Sequence, residues 1–142
     1  MDVNHTQQNK RTLLLVDDDN FTRQVYKTYF ERNNFIVKEA INGKEAIDAV
    51  NADPSISVVL LDLLMPTHDG FIFLRYFSEN ERPGNNNLNV LLITSMERED
   101  YQNNVSVMHI NTTKVKGFFN KPVDLRELYK TVDRLHETQT PA

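Results

Sequence analysis

Apolar residues follow two alternating patterns along this chain: short continuous runs, and longer segments with an apolar residue every three or four positions. Continuous runs of β-branched and leucine residues are typical of strands buried on both faces of a parallel sheet. The helical spacing predicts an amphipathic helix after each run, giving five helices in all. Five strands alternating with five helices predict an α/β fold, with helices covering both faces of a parallel sheet. The predicted strands are residues 12–16, 35–39, 57–61, 90–93 and 117–120.

The first helix is predicted from a four-residue repeat. Phe21, Val25 and Tyr29 recur at this interval and would form one apolar stripe. Asp19 or Asn20 is placed to cap the first turn of the helix.

The other helices are predicted from caps and spacing. The second helix begins near Gly43, the third at Asp69-Gly70, and a weaker apolar pattern predicts the fourth over residues 98–110. A polar loop spans residues 78–89. The last helix starts with a capping box at residues 124–127. Its predicted core residues are Leu125, Leu128, Val132 and Leu135.

Length and composition limit the possible classes of protein. The chain has 142 residues, of which 39% are hydrophobic and 25% charged, as in an ordinary globular domain. The net charge is −4 with scattered basic residues, so nothing favours direct contact with nucleic acid. The absence of cysteine excludes disulfides and thiolate chemistry, and no apolar run is long enough for a membrane span. We expect a cytoplasmic protein with a flexible N-terminal extension at 1–10, one domain at 11–136 and a flexible tail at 137–142.

Four predicted strands end at a residue that can carry chemistry. These are Asp17-Asp18, Asp62, Thr94 and Lys121. The carboxyl ends of parallel strands lie along one edge of a sheet, where such folds bind ligands. Two unit charges about 4 Å apart repel by roughly 4 kcal/mol at an effective dielectric constant near 20, so clustered carboxylates need a cation. The pattern therefore predicts a magnesium site at this edge.

The segments around these residues resemble the receiver domain of two-component response regulators. The matching segments are LLLVDDD at 13–19, LLDLLMPTHDG at 60–70, LLITS at 91–95 and NKPVD at 120–124. They occur in the order and at the spacing typical of that family, and together they extend over almost all of residues 11–136. The resemblance implies a flavodoxin-like, doubly wound five-stranded parallel sheet with strand order 2-1-3-4-5 and five helices.

The resemblance implies that Asp62 is the phosphoacceptor. It would take a phosphoryl group from a histidine kinase or from a histidine phosphotransfer protein. Asp18, Asp62 and the backbone carbonyl of Leu64 match the direct Mg²⁺ ligands of the family, and Asp17 matches a residue that acts through a metal-bound water.

The same resemblance assigns the residues that respond to phosphorylation. Thr94 matches the hydroxyl that approaches a phosphoryl oxygen, and Lys121 matches the lysine that pairs with Asp62 and then with the phosphoryl group. Pro122 matches a proline that often follows a cis peptide bond. Phe118 occupies the position of the switch aromatic, and a switch role for it rests on the resemblance.

These roles imply a signalling protein that catalyses only its own phosphorylation and dephosphorylation. The chain is either a stand-alone receiver, which would act on a downstream protein by docking, or a fragment of a larger regulator. The opening methionine and the polar tail favour the first. We expect no direct contact with nucleic acid or with a membrane. A second copy of the chain is a further candidate partner, in a phosphorylation-dependent dimer.

Leu64 and Met96 depart from the polar residues common at their positions. In the family these positions flank the path of the water that hydrolyses the acyl phosphate. We therefore hypothesise that the apolar side chains of Leu64 and Met96 slow self-dephosphorylation.

Two alternatives remain open from the sequence. A phosphatase of the haloacid-dehalogenase type would use Asp17 as nucleophile and Asp19 as acid, together with Thr94 and Lys121, but it leaves Asp62 without a role. A receiver-like module that binds partners without being phosphorylated would not need the complete set of reactive residues at the strand ends.

Overall fold

The fold is a single parallel sheet with helices on both faces. The computed structural model describes residues 10–66, 69–82 and 87–139. The strands are β1 (Arg11–Val16), β2 (Phe35–Ala40), β3 (Ile56–Leu61), β4 (Asn89–Thr94) and β5 (Val115–Asn120). The helices are α1 (Asn20–Arg32), α2 (Gly43–Ala52), α3 (Gly70–Glu79), α4 (Arg98–Val107) and α5 (Leu125–Gln139). The strand order β2-β1-β3-β4-β5 confirms the predicted 2-1-3-4-5 arrangement.

Both faces of the sheet are buried, which explains the continuous apolar runs. On β1, Leu14 and Val16 pack in a core cluster with residues of α2, α3 and α4. Leu13 and Leu15 point to the other face and pack with residues of α1 and α5. The sheet therefore separates two cores, and its carboxyl edge remains the place where the strand ends meet.

The predicted packing stripe of α1 is wrong. Phe21 is 74% exposed and Val25 is 40% exposed, whereas Tyr26 and Phe30 are buried against the sheet. Apolar residues at 21, 25, 26, 29 and 30 form two overlapping stripes, and the helix buries the one that packs with the sheet and α5. The exposed pair lies on the side of α1 that faces the β5–α5 connection.

Several element ends differ from the prediction by one to three residues. Helix α4 ends at Val107 and not at 110, because His109 adopts a left-handed backbone with φ of 56°, as is common after a helix. Strand β5 begins at Val115, two residues before the predicted start. Helix α5 continues to Gln139, three residues past the predicted domain boundary at 136.

Carboxylate and amide side chains cap four of the helices. Asp19 accepts a hydrogen bond from the backbone N–H of Thr22, which settles the alternative between Asp19 and Asn20. Asn42, Asp69 and Asp124 cap the starts of α2, α3 and α5 in the same way. These caps place the helix starts beside the strand ends and so shape the loops of the site.

The predicted extension and tail fall largely outside the described residues, which exclude residues 1–9 and 140–142, and residues 83–86 of the predicted loop are outside them too. In the described part of the chain, no helix combines the length and the apolar character needed to cross a membrane.

Candidate functional site

The carboxylates predicted to cluster do so at the carboxyl edge of the sheet. Asp17 and Asp18 follow β1 and Asp62 follows β3, and β1 and β3 are paired neighbours. Each of the three side chains offers a carboxylate oxygen, and these oxygens all lie within 4.8 Å of one another. Asp17 and Asp62 are buried, while Asp18 is exposed. The cluster therefore opens to solvent through Asp18.

Asp62 is held by its backbone and by both carboxylate oxygens. Its backbone N–H donates to the carbonyl of Val16 at 3.1 Å. One carboxylate oxygen accepts from the backbone N–H of Leu64 at 3.1 Å, and the other accepts from Lys121 Nζ at 3.1 Å. Burial raises the pKa of Asp62, although the Leu64 N–H and the Lys121 charge oppose this shift. Asp62 is thus a fixed carboxylate with few water contacts.

Lys121 joins the two buried carboxylates. Its ammonium lies 2.8 Å from Asp17 Oδ2 and 3.1 Å from Asp62 Oδ2. Burial alone would lower the pKa of Lys121, but the two carboxylates outweigh burial and raise it. The backbone N–H of Lys121 donates to the carbonyl of Thr94, and its peptide bond to Pro122 is cis, as the resemblance implied.

Thr94 is fully buried at the end of β4. Its hydroxyl oxygen accepts from the backbone N–H of Met96 at 3.1 Å, so the hydroxyl proton is available to a second partner. Asn120 secures the same loop, because its amide donates to the carbonyls of Thr94 and Met96 at 3.2 and 2.8 Å. The β4–α4 loop is therefore tied to β5 beside the cluster.

Phe118 is half-buried between β5 and α4. Its ring centroid is 5.4 Å from that of Tyr101, and the guanidinium of Arg98 lies 4.9 Å above the ring. Both partners belong to α4, so any movement of Phe118 must change the contact between α4 and β5.

Gly70 allows α3 to start close to Asp62. A Cβ atom at this position would lie 2.4 Å from the backbone oxygen of Asp62 and 2.9 Å from the Cα of Leu63. The backbone N–H of Gly70 donates to the carbonyl of Leu63 at 3.1 Å. The glycine is therefore required by a close approach between two backbones.

The remaining predicted residues lie around the cluster. Leu64 is 48% exposed and Met96 is half-buried, each in a loop beside the site. Asp19, the acid required by the phosphatase alternative, instead caps α1 through Thr22.

Sequence reasoning missed three residues that shape the site: Gly70, Asn120 and Arg23. Arg23 donates to the backbone carbonyl of Asp17 at 2.8 Å. One signal could have found it, because a cation in the first turn of a helix is unfavourable unless a partner offsets it. Asn120 lay inside a matched segment without a role, and Gly70 was predicted only as part of the start of a helix.

The donor set fits a hard divalent cation. Three carboxylates are balanced by one ammonium within the cluster, so the cluster carries excess negative charge. Carboxylate and carbonyl oxygens are the ligands that Mg²⁺ prefers. Among the described residues, this is the group of acidic side chains with the spacing of a metal site.

Comparisons with known proteins agree with this geometry. The Transcriptional regulatory protein ResD of Bacillus subtilis is 39% identical over 75 residues, which are 53% of this chain and 31% of ResD. The chain thus spans about a third of the length of ResD and a quarter or less of some other curated relatives it matches.

Two solved structures are similar over nearly the whole chain. The receiver domain of the Francisella response regulator 1452 has 25% identity and a TM-score of 0.75, covering 92% of this chain and 100% of that one. A response regulator receiver protein from Pseudomonas putida has 26% identity and a TM-score of 0.73, covering 88% and 97%.

A family profile described as the response regulator receiver domain matches residues 13–133. This range contains all five strands except the first two residues of β1, together with every carboxylate of the cluster. Members of this family are signalling phosphoacceptors of two-component systems. The chain therefore belongs to the response regulator receiver domain family.

Proposed function

We propose that this receiver accepts a phosphoryl group on Asp62, in a Mg²⁺-dependent reaction, from the phosphohistidine of a histidine kinase or a histidine phosphotransfer protein. One observation carries the proposal: the buried Asp62 carboxylate contacts Lys121 and lies within 4.8 Å of two further carboxylates. An ionisable group in such surroundings is costly unless it reacts or binds a cation.

Four positions would hold the cation. Asp18, Asp62 and the backbone carbonyl of Leu64 would be direct ligands, and Asp17 would act through water. When bound, Mg²⁺ supplies positive charge next to the phosphoryl oxygens. The exposed position of Asp18 supports a site that exchanges its ion with solvent.

The chemistry requires little of the protein beyond position and charge. An oxygen of Asp62 forms a bond to phosphorus while the bond from phosphorus to the donor's imidazole nitrogen breaks, and its electron pair stays on that nitrogen. Lys121 already contacts the carboxylate that reacts, so its ammonium is placed to pair with the new phosphoryl oxygens. The product is an acyl phosphate on Asp62.

The response follows from the contacts of Thr94 and Phe118. The Thr94 hydroxyl donates a hydrogen bond to the phosphoryl group, and its movement gives Phe118 room to rotate inward. Phe118 then leaves Tyr101 and Arg98 of α4, which it contacts in the present conformation. The face formed by α4, β5 and α5 changes and is presented to a downstream protein.

The phosphodonor binds beside the site through an apolar groove. Phe21 and Val25 are exposed on α1, and they line this groove together with Lys121, Pro122 and Leu125. An apolar surface next to the reactive lysine is suited to a helical donor that presents its histidine to Asp62.

The family match removes the phosphatase alternative, in which Asp62 is idle and Asp19 is the acid. The second alternative, a module that binds partners without being phosphorylated, would be favoured if wild type is not phosphorylated in the test below. Stand-alone status, the absence of direct nucleic acid binding, a phosphorylation-dependent dimer and a cytoplasmic location remain predictions from the sequence. The slow decay hypothesised from Leu64 and Met96 likewise remains a prediction.

The test is intact-mass spectrometry after incubation with acetyl phosphate and Mg²⁺. Wild type should gain one phosphoryl group, Asp62→Asn should gain none, and Asp48→Asn on the surface of α2 should match wild type. Omitting Mg²⁺ should remove the gain. Unmodified wild type, or a modified Asp62→Asn variant, would contradict the proposal, and unmodified wild type would favour the non-phosphorylated module.

A further inference from the structure

Arg23 is a cation near the positive end of α1 that bridges three parts of the fold. Its Nη1 donates to the backbone carbonyl of Asp17 at 2.8 Å, and its Nη2 donates to Asn20 Oδ1 at 3.0 Å. Its Nε pairs with Glu39 on β2 at 3.1 Å. The side chain is only 12% exposed. The guanidinium therefore ties the loop after β1 to β2 and to the start of α1.

Asp17 is fixed at every polar atom. Its backbone N–H donates to the carbonyl of Ala40, its carbonyl accepts from Arg23, and its carboxylate oxygens accept from the Asp19 N–H and from Lys121. Because the peptide group is planar, fixing the Asp17 carbonyl also fixes the N–H of Asp18. The contact with Arg23 thus fixes the peptide plane that leads into Asp18, and with it the position of the Asp18 Cα atom.

Arg23 and Asp18 also face a common space. Both line one surface cavity beside the cluster, together with Met65 and Pro66. Glu39 offsets the charge of the guanidinium and also pairs with Lys27 at 3.1 Å. Arg23 can therefore hold the loop without adding a full positive charge where a divalent cation would approach.

We propose that Arg23 is a positioning residue for the cation site, and that its guanidinium holds the Asp17 carbonyl so that Asp18 is ready to bind Mg²⁺. This inference rests on the proposed function. Residues that orient metal ligands typically contribute about 10-fold or more in metal affinity, and a similar effect is expected here.

The test is isothermal titration of the full chain with Mg²⁺ alone, compared among wild type, Arg23→Met, Arg23→Lys and Lys27→Met. Arg23→Met should weaken Mg²⁺ binding by about 10-fold. Arg23→Lys should also weaken it, because the three N–H donors of a lysine sit on one nitrogen and cannot span Glu39 and the Asp17 carbonyl as the separate nitrogens of a guanidinium do. Lys27→Met loses the other partner of Glu39 and should bind Mg²⁺ as wild type does.

Urea unfolding in Mg²⁺-free buffer separates positioning from general stability. A purely structural role would lower stability and leave the Mg²⁺ dissociation constant of the folded protein unchanged, which would overturn the inference. If Arg23→Met does not fold, Arg23→Lys decides by the same criterion. Wild type that binds no Mg²⁺ would overturn both this inference and the proposed function, whereas wild-type binding with unchanged Arg23 variants would overturn only the role of Arg23.

Discussion

The carboxyl ends of the strands form one edge of the sheet and the amino ends form the other. Both edges carry partly or fully buried charged groups, but the charges are balanced differently at the two edges. At the carboxyl edge, Asp17, Asp18 and Asp62 cluster around the single ammonium of Lys121. The carboxylates outnumber the cation, and two of them are buried. Excess negative charge of this kind lowers the stability of the fold unless a bound cation neutralises it.

At the amino edge, Arg11 and His136 each have matching partners. Arg11 at the start of β1 pairs with Asp133 of α5 at 2.6 Å and lies 4.3 Å above the ring of Phe35. His136 of α5 is hydrogen-bonded to the Val132 carbonyl at 3.0 Å and to the Ser57 hydroxyl at 2.7 Å. Since a carbonyl only accepts, Nδ1 carries the proton and Nε2 accepts from Ser57.

The difference separates the proposed reactive site from a structural contact. Matched groups at the amino edge fasten α5 to the sheet, whereas unmatched carboxylates at the carboxyl edge are retained at the expense of stability. Variants at the carboxyl edge should therefore change both stability and phosphorylation, and variants at the amino edge should change stability alone.

The largest effect is expected for Lys121→Met, which leaves Asp17 and Asp62 without their cation. The free energy of unfolding in Mg²⁺-free buffer should fall by about 3 kcal/mol, as when one partner of a buried ion pair is removed. Excess Mg²⁺ should restore part of this loss. Urea unfolding measures both values. Lys44→Met, which breaks the surface pair of Lys44 and Asp48, should cost less than about 0.5 kcal/mol. Equal losses in the two variants would contradict the comparison.

A smaller loss is expected for Gly70→Ala. The new Cβ would meet backbone atoms of Asp62 and Leu63, which cannot move without shifting the Asp62 carboxylate. Stability should fall by about 2 kcal/mol, and phosphorylation by acetyl phosphate should slow. Gly117→Ala is the matched control, because its Cβ would meet only side-chain atoms of Leu91 and Phe119. Phosphorylation of Gly70→Ala at the wild-type rate would contradict the tight fit.

The sequence was sufficient to predict which side chains meet at the carboxyl edge, because their meeting follows from topology. Once the runs ending at Asp62, Thr94 and Lys121 are assigned to parallel strands, one edge of the sheet must collect them. The identity of the clustered carboxylates then follows without any knowledge of side-chain contacts, whereas the strand order was predicted from the resemblance to the receiver family.

The details that depend on tertiary packing could not be predicted. On α1 two apolar stripes compete, and only the presence of α5 decides that Tyr26 is buried and Val25 exposed. Arg23 and Asn120 act on backbone carbonyls of other segments, and such contacts leave no periodic pattern in the sequence. Gly70 depends on a backbone approach that no spacing rule describes.

At the amino edge, His136→Gln should cost about 1 kcal/mol near neutral pH, the value of a lost hydrogen bond. Burial lowers the pKa of His136 below its ordinary 6.5; the Arg11 charge adds to this, while the Val132 hydrogen bond and the Asp133 charge oppose it. As the pH falls below 6.5, the unfolded chain takes up a proton that the folded chain resists, so wild type loses stability.

Urea unfolding of wild type and His136→Gln at several pH values measures this effect. The stability difference between them should be largest above pH 6.5 and should shrink toward acid pH, while groups common to both chains cancel. Parallel curves would show that His136 titrates alike in the folded and unfolded chain.

The smallest effect is expected for Arg11→Met, which removes the pair with Asp133 but keeps an apolar side chain over Phe35. Both partners are partly exposed, so the loss should be about 0.5 to 1 kcal/mol and should shrink in high salt. The rate of phosphorylation by acetyl phosphate is the informative measurement, because β1 carries Arg11 at one end and leads into Asp17 at the other. An unchanged rate means that losing the Arg11–Asp133 pair at the amino edge has no effect on the residues at the carboxyl edge. A slower rate would show that the two edges are coupled through β1, and the division between reactive and structural charge would then fail.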